Sequence, residues 1–214
     1  MILFMIKEFF FLKNILLKDE IDYLIESCKS NLIKENFMVR GYHRNGERFD
    51  NPMVKKMSDN DKLLYLDKNQ KFQEVNYEIF LDKSDILDRI HSKLFSIIKN
   101  TLKSQKINNQ SNYKPVSNIL LYNDGHNMSK HTDNVVNRIC TTVIYLNEKP
   151  NEDAGGEIIF YNDDSEPIKI YSPIQNELIL FNGLTKGIIH SVNKIHNWDR
   201  MVFRTYWENK NILI

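Results

Sequence analysis

His131-Thr132-Asp133 and, far downstream, His190 are the residues of this chain whose types and spacing could hold a metal. In an extended segment the side chains at i and i+2 point the same way, so His131 and Asp133 present an imidazole and a carboxylate together. A third ligand must come from another strand. His190 sits in the short apolar run 187–192, which reads as a buried strand. Two imidazoles and one carboxylate suit non-haem Fe(II) and leave coordination positions open for a substrate and O2. His126, beside a turn, and His196, in a polar loop, lack such neighbours and read as structural.

These residues need strands to carry them, and the second half of the chain supplies strand-like runs at 116–122, 139–146, 157–161, 168–171, 177–181, 187–192 and 201–207. Asn123-Asp124-Gly125 is a turn signal between two of them. Short strands at such intervals predict a double-sheet jelly roll, a mainly β fold with supporting helices (α+β), whose open end gathers residues from strands distant in sequence. Upstream, Ile21, Leu24, Ile25, Cys28 and Leu32 recur at helical spacing over 18–32, with Asp19 and Glu20 where the macrodipole favours them. The spacing predicts a second helix over 84–104, capped by Ser84 and striped by Ile90, Leu94, Ile97, Ile98 and Leu102; His91 lies off the stripe and is expected on the surface. The apolar N-terminus and 36–43 read as strands. Residues 44–52, rich in turn formers and charge, read as a loop that could close over a substrate, and 103–114 as a polar linker.

Composition bounds the rest. The chain has 214 residues, 42% hydrophobic and 27% charged, enough for one sizeable core, and a single domain over 1–214 is expected, with 1–115 as support and 116–208 as the catalytic core. Basic and acidic residues number 29 and 28, so no global field draws the protein to nucleic acid or an anionic membrane. Cys28 and Cys140 are too few for a disulfide framework or a cysteine metal site, and a cytoplasmic location is expected. No apolar run reaches the length of a transmembrane helix. A monomer and a small oligomer are equally open.

The chain resembles the Fe(II)/2-oxoglutarate-dependent dioxygenases, and within them the prolyl 4-hydroxylase-like branch. Tyr122-x-x-Gly125-x-x-Met128-x-x-His131-x-Asp133-Asn134 is similar to a run of that family, with Met128 in place of the usual aromatic and Asp124 where proline is common. Tyr145-Leu146-Asn147, Gly155-Gly156-Glu157, His190-Ser191-Val192, Arg200 and the closing pair Tyr206-Trp207 follow in the family's order. The resemblance implies that His131, Asp133 and His190 hold Fe(2+), and that Arg200 and Tyr145 contact the far carboxylate of 2-oxoglutarate. The resemblance implies Tyr122 as a further cosubstrate contact. Arg204, on the same strand face as Arg200, is the competing anchor or a contact for a carboxylate-bearing substrate.

A buried cosubstrate carboxylate is costly without a partner, and an arginine with a tyrosine hydroxyl meets that need through charge-assisted hydrogen bonds. The implied reaction consumes 2-oxoglutarate and O2, with ascorbate as reductant, releases succinate and CO2, and hydroxylates an unactivated C–H. Asp133 argues for hydroxylation, since halogenating relatives carry a small residue there. The implied substrate is a prolyl residue in a peptide or protein; the alternative is a free amino acid or other small metabolite. Arg138, Tyr206 and the Arg40, Arg44 and Arg48 region are the expected substrate contacts. Nucleic-acid demethylation and an inert jelly-roll binding module are the remaining readings, the first disfavoured by Leu120 and the neutral charge, the second by the survival of every cosubstrate ligand.

Overall fold

Side-chain alternation along the last strand explains how the layers form. In β11 (Arg200–Asn209) Phe203, Thr205 and Trp207 point to one side of the sheet, while Arg200, Val202, Arg204 and Tyr206 point to the other. The first set packs under the helices and the second lines the interior of the barrel-like core. The structure, a computed structural model, describes residues 9–34, 36–43, 58, 72–101, 112–133, 138–182 and 188–210, with backbone alone at 39–43, 72–75 and 182.

Among the described residues, two antiparallel sheets face each other. The larger has the order β1-β9-β6-β11-β4-β3-β2, formed by β1 (Phe9–Lys13), β2 (Met38–His43), β3 (Phe72–Phe80), β4 (Tyr113–Tyr122), β6 (Arg138–Tyr145), β9 (Glu177–Asn182) and β11. The smaller has the order β5-β10-β7-β8, formed by β5 (Met128–His131), β7 (Ile158–Tyr161), β8 (Pro167–Tyr171) and β10 (Ile189–Val192). From β4 onward the chain passes back and forth between the two sheets, with β7 and β8 paired as neighbours within the smaller one, which is the jelly-roll plan expected from the sequence. β1, β2 and β3 come from the first half of the chain and extend the larger sheet at both edges. β3 was not evident as a strand in the sequence reading, although Phe72–Phe80 is rich in aromatic and β-branched residues.

Two helices lie on the outer face of the larger sheet. In α1 (Lys18–Ile33), Glu20, Leu24 and Cys28 are buried at four-residue intervals. Glu20 does more than favour a helix start. Its carboxylate accepts from the Leu17 backbone N–H at 2.7 Å, from Arg89 Nε at 2.9 Å and from Lys93 Nζ at 2.6 Å, joining α1 to α2 (Asp85–Thr101). Ser84 Oγ caps α2 by accepting from the Leu87 N–H at 3.2 Å. His91 is a correction to the sequence reading: it is buried, with Nε2 2.7 Å from Ser117 Oγ and its ring edge-on to Trp207. The apolar stripe of α2 is wide enough to include it because Ser117 and Thr205 on the sheet give its ring a polar partner. No described helix is long and apolar enough to cross a membrane.

Candidate active site

Strand pairing brings the two histidines together. His131, the last residue of β5, is the cross-strand partner of His190 on β10, and their ring centroids are 4.2 Å apart. Asp133 lies two residues beyond the end of β5, so strand alternation alone does not place it. Its carboxylate is positioned by β6: Thr141 Oγ1 donates to Oδ2 at 3.0 Å. Arg138 Nη1 donates to the Asp133 main-chain carbonyl at 3.1 Å and stands 3.6 Å from Oδ1. One ligand atom from each of His131, Asp133 and His190 lies within 4.8 Å of the others.

The tautomers suit a metal. His131 Nδ1 is 2.9 Å from the carbonyl oxygen of Ser129, and His190 Nδ1 is 3.0 Å from that of Ile188. A carbonyl only accepts, so each Nδ1 carries the proton and each Nε2 keeps a lone pair for a ligand bond. Burial, then the neighbouring His131, pushes His190 down to about 4, so its ring is neutral at physiological pH. For Asp133, burial works to raise the carboxyl, but His190, Arg204, His131 and Arg138 together hold it below the usual carboxylate value. Phe160 and Phe181 close around His190, which is 5% exposed, whereas the side chain of His131 is 33% exposed; the site opens on the His131 side.

In the same interior lies a cation with no anion among the described residues. Arg200 is 2% exposed, forms no ion pair with any described residue, and its Nε has no hydrogen-bond partner. Its Nη2 donates to Tyr145 Oη at a long 3.5 Å, and the guanidinium stands 5.0 and 5.1 Å from the rings of Tyr122 and Tyr145. Gly156 makes room for it: the backbone there has φ +78°, and a Cβ would lie 2.9 Å from Trp198 Cζ2 and 3.2 Å from Arg200 Cδ. Tyr122 Oη donates to Met128 Sδ at 3.8 Å, and Met128 packs against the same core cluster as Tyr122.

Arg204 is placed differently from Arg200. Its Nη2 donates to Glu78 Oε1 at 2.8 Å and its Nε to Asn118 Oδ1 at 3.1 Å, and its charge is thereby matched. Tyr206 lies beside both Arg204 and Arg138, with their guanidiniums 4.4 and 3.4 Å from the ring centroid. The Arg40 side chain, Arg44, Arg48 and the 44–52 loop lie outside the described residues. Thr141 and Glu78 escaped the sequence reading. Thr141 shares the inward parity of Val143 and Tyr145, a signal that was available; Glu78 required recognising β3.

Residues 117–208 match the family model described as the 2OG-Fe(II) oxygenase superfamily. They form a 2OG-Fe(II) oxygenase domain. An oxygenase domain of this kind makes the chain a dioxygenase, and the family matched by that domain works with Fe(II) and 2-oxoglutarate. The fold is similar to that of a prolyl-4-hydroxylase from Pseudomonas putida, at 14% identity with a TM-score of 0.65, covering 95% of this chain and 94% of the other. It is similar to a viral collagen prolyl hydroxylase from Paramecium Bursaria Chlorella virus-1, solved with 2OG, at 17% identity, TM-score 0.61 and 95% and 97% coverage. A prolyl hydroxylase from Trichoplax adhaerens, in complex with a peptide fragment of the hypoxia inducible factor oxygen degradation domain, gives 16%, 0.63 and 95% and 84%. No curated protein matches the sequence. The oxygenase domain's donor set fits Fe(II), with two imidazoles and a carboxylate converging on one point. Its unpaired, buried Arg200 fits the anionic cosubstrate.

Proposed function

We propose that this oxygenase hydroxylates an unactivated C–H of an amino-acid unit, first of all a prolyl residue in a peptide or protein, with release of succinate and CO2. The observation that carries the cosubstrate assignment is the buried, unpaired guanidinium of Arg200 in the same interior as the triad. In this reading His131, Asp133 and His190 hold Fe(II), and Arg200 binds the far carboxylate of 2-oxoglutarate through two parallel hydrogen bonds with Tyr145 Oη beside it. Tyr122 forms the other wall. Bound Fe(II), 2-oxoglutarate and O2 supply the oxidising equivalents, and ascorbate keeps the metal reduced. The chain's own residues orient and protect: Ser129 and Ile188 carbonyls fix the imidazole tautomers, Thr141 holds the carboxylate, and Phe160 and Phe181 keep water from the inner wall. Arg204, already matched by Glu78, belongs to the substrate side with Arg138 and Tyr206.

The peptidyl reading is supported by a fold shared with prolyl hydroxylases, one of them solved with a peptide. A free amino acid is the second reading, and the charge on Arg138 favours it. The two unpaired, buried cysteines suit the cytoplasm. Succinate release from 2-oxoglutarate with Fe(II), ascorbate and air, measured across proline-containing peptides and free amino acids, tests the assignment. Stimulation by peptides supports a protein prolyl hydroxylase and stimulation by one amino acid supports a small-molecule hydroxylase; no succinate under any condition contradicts both.

A further inference from the structure

The inner face of the larger sheet carries a buried carboxylate that the cosubstrate assignment leaves unused. Glu177 opens β9 and shares the parity of Ile179 and Phe181, so its side chain points with theirs between the two sheets. It is 2% exposed. Phe181, at the other end of this row, packs on the candidate ligand His190 with ring centroids 5.0 Å apart. Four residues of strand, about 13 Å, therefore separate Glu177 from the metal end of the interior.

Glu177 lies at the cosubstrate anchor. The pairing of β6 with β9 runs to Ile144 opposite Leu178, which makes Tyr145 and Glu177, one step further on and on the inner face, neighbours across the two strands. Arg200 Nη2 reaches the hydroxyl of the same Tyr145 at 3.5 Å. Burial first of all raises that hydroxyl above its ordinary value, Arg200 opposes the rise, and the charges of Glu157 and Glu177 add to it. Tyr145 thus stands between a cation and an anion that form no ion pair with each other.

Two groups hold the carboxylate in place. Tyr171 Oη donates to Oε2, its ring stacked on Phe11 with centroids 4.1 Å apart. Lys13, the strand partner on β1, brings Nζ to 2.8 Å from Oε1. Lys13 is exposed, so solvent weakens its compensation and Glu177 keeps a negative field toward the interior.

A dicarboxylate that reaches from the metal to Arg200 and Tyr145 ends where this field changes sign. One more methylene would carry its far carboxylate toward Glu177, and like charges in a water-poor interior repel strongly. We propose that Glu177 closes the end of the cosubstrate pocket with a negative wall and so sets the length of the 2-oxo diacid that is accepted. The proposal rests on Arg200 as the cosubstrate anchor and adds to it a residue that determines specificity.

The test compares two diacids that share the metal-binding head. Protein loaded with Mn(II) is titrated with 2-oxoglutarate and with 2-oxoadipate, one methylene longer, and each Kd is read from the concentration dependence of Tm. The parent should prefer 2-oxoglutarate roughly 100-fold. Glu177→Gln keeps the shape of the side chain and removes its charge, and should narrow that preference roughly tenfold. Lys13→Gln changes an exposed side chain, leaves Glu177 without its cation, and should widen the preference roughly threefold. Loss of packing alone would weaken both diacids by the same factor, so the ratio separates the two causes. A preference unchanged in both variants overturns the proposal; should Glu177→Gln not fold, an unchanged ratio in Lys13→Gln overturns it alone. If 2-oxoglutarate fails to raise the Tm of the parent at all, the oxygenase reading fails instead.

Discussion

In the proposed assignment His131, Asp133 and His190 act as a unit, and removing any one leaves two candidate ligands. His131→Ala and Asp133→Ala should each abolish succinate formation from 2-oxoglutarate; full turnover in either contradicts the ligand assignment. Arg200 and Arg204 separate by their partners. Arg200→Ala removes the charge proposed to meet the cosubstrate, and the apparent Kd for 2-oxoglutarate should rise roughly 10- to 100-fold, read from the cosubstrate dependence of Tm. Arg204→Ala removes the buried hydrogen bonds to Glu78 and Asn118, so its main effect should be a loss of about 1.5–3 kcal/mol in stability, measured by denaturant unfolding. If Arg204→Ala weakens cosubstrate binding more than Arg200→Ala does, the anchor lies two strand positions further on. His131-x-Asp133 was legible in the sequence because its spacing is local. Glu78 was not, because its partner Arg204 is 126 residues away and nothing near either residue announces the pair.

At the level of elements, the turn before β7 controls how Arg200 packs. Gly156→Ala forces a Cβ onto a backbone with φ +78° and against Trp198 and the Arg200 stem. It should cost about 1–3 kcal/mol and weaken 2-oxoglutarate binding together with stability, both readable by thermal unfolding. The His91–Ser117–Thr205 contacts tie α2 to the larger sheet and carry a pH signature. Burial holds His91 below its ordinary value of 6.5, so the unfolded chain takes up the proton more readily than the folded one. Its contribution is therefore complete above that value and is lost as the pH falls below it. Denaturant midpoints measured downward from pH 7 should fall less steeply for His91→Gln than for the parent; equal slopes would exclude His91 as a source. The helical periodicity of α2 was plain in the sequence, but His91 shows its limit. A stripe drawn through apolar residues omits a polar one whose partner waits on the facing sheet.

Across the molecule, one sheet serves two interiors. Phe203 and Trp207 pack beneath the helices, while Val202, Tyr122 and Tyr145 line the oxygenase interior. The jelly roll was readable from strand runs at short intervals, and β5 and β10 meet at the two histidines because the fold pairs them. Asp133 shows where strand alternation stops helping: Thr141 and Arg138, side chains of the following strand, set its carboxylate. Sequence periodicity assigns faces, whereas these contacts cross between elements and exist only once the sheets have formed.

The central claim is that metal and cosubstrate occupy one linked site, with His131, Asp133 and His190 at one end and Arg200 at the other. Its most direct test is the Tm of the protein titrated with 2-oxoglutarate, with and without Mn(II) as a redox-inert stand-in for Fe(II). The account predicts a rise that grows with 2-oxoglutarate concentration when the metal is present and is absent or far smaller without it. An equal rise without metal, or none in its presence, would contradict it.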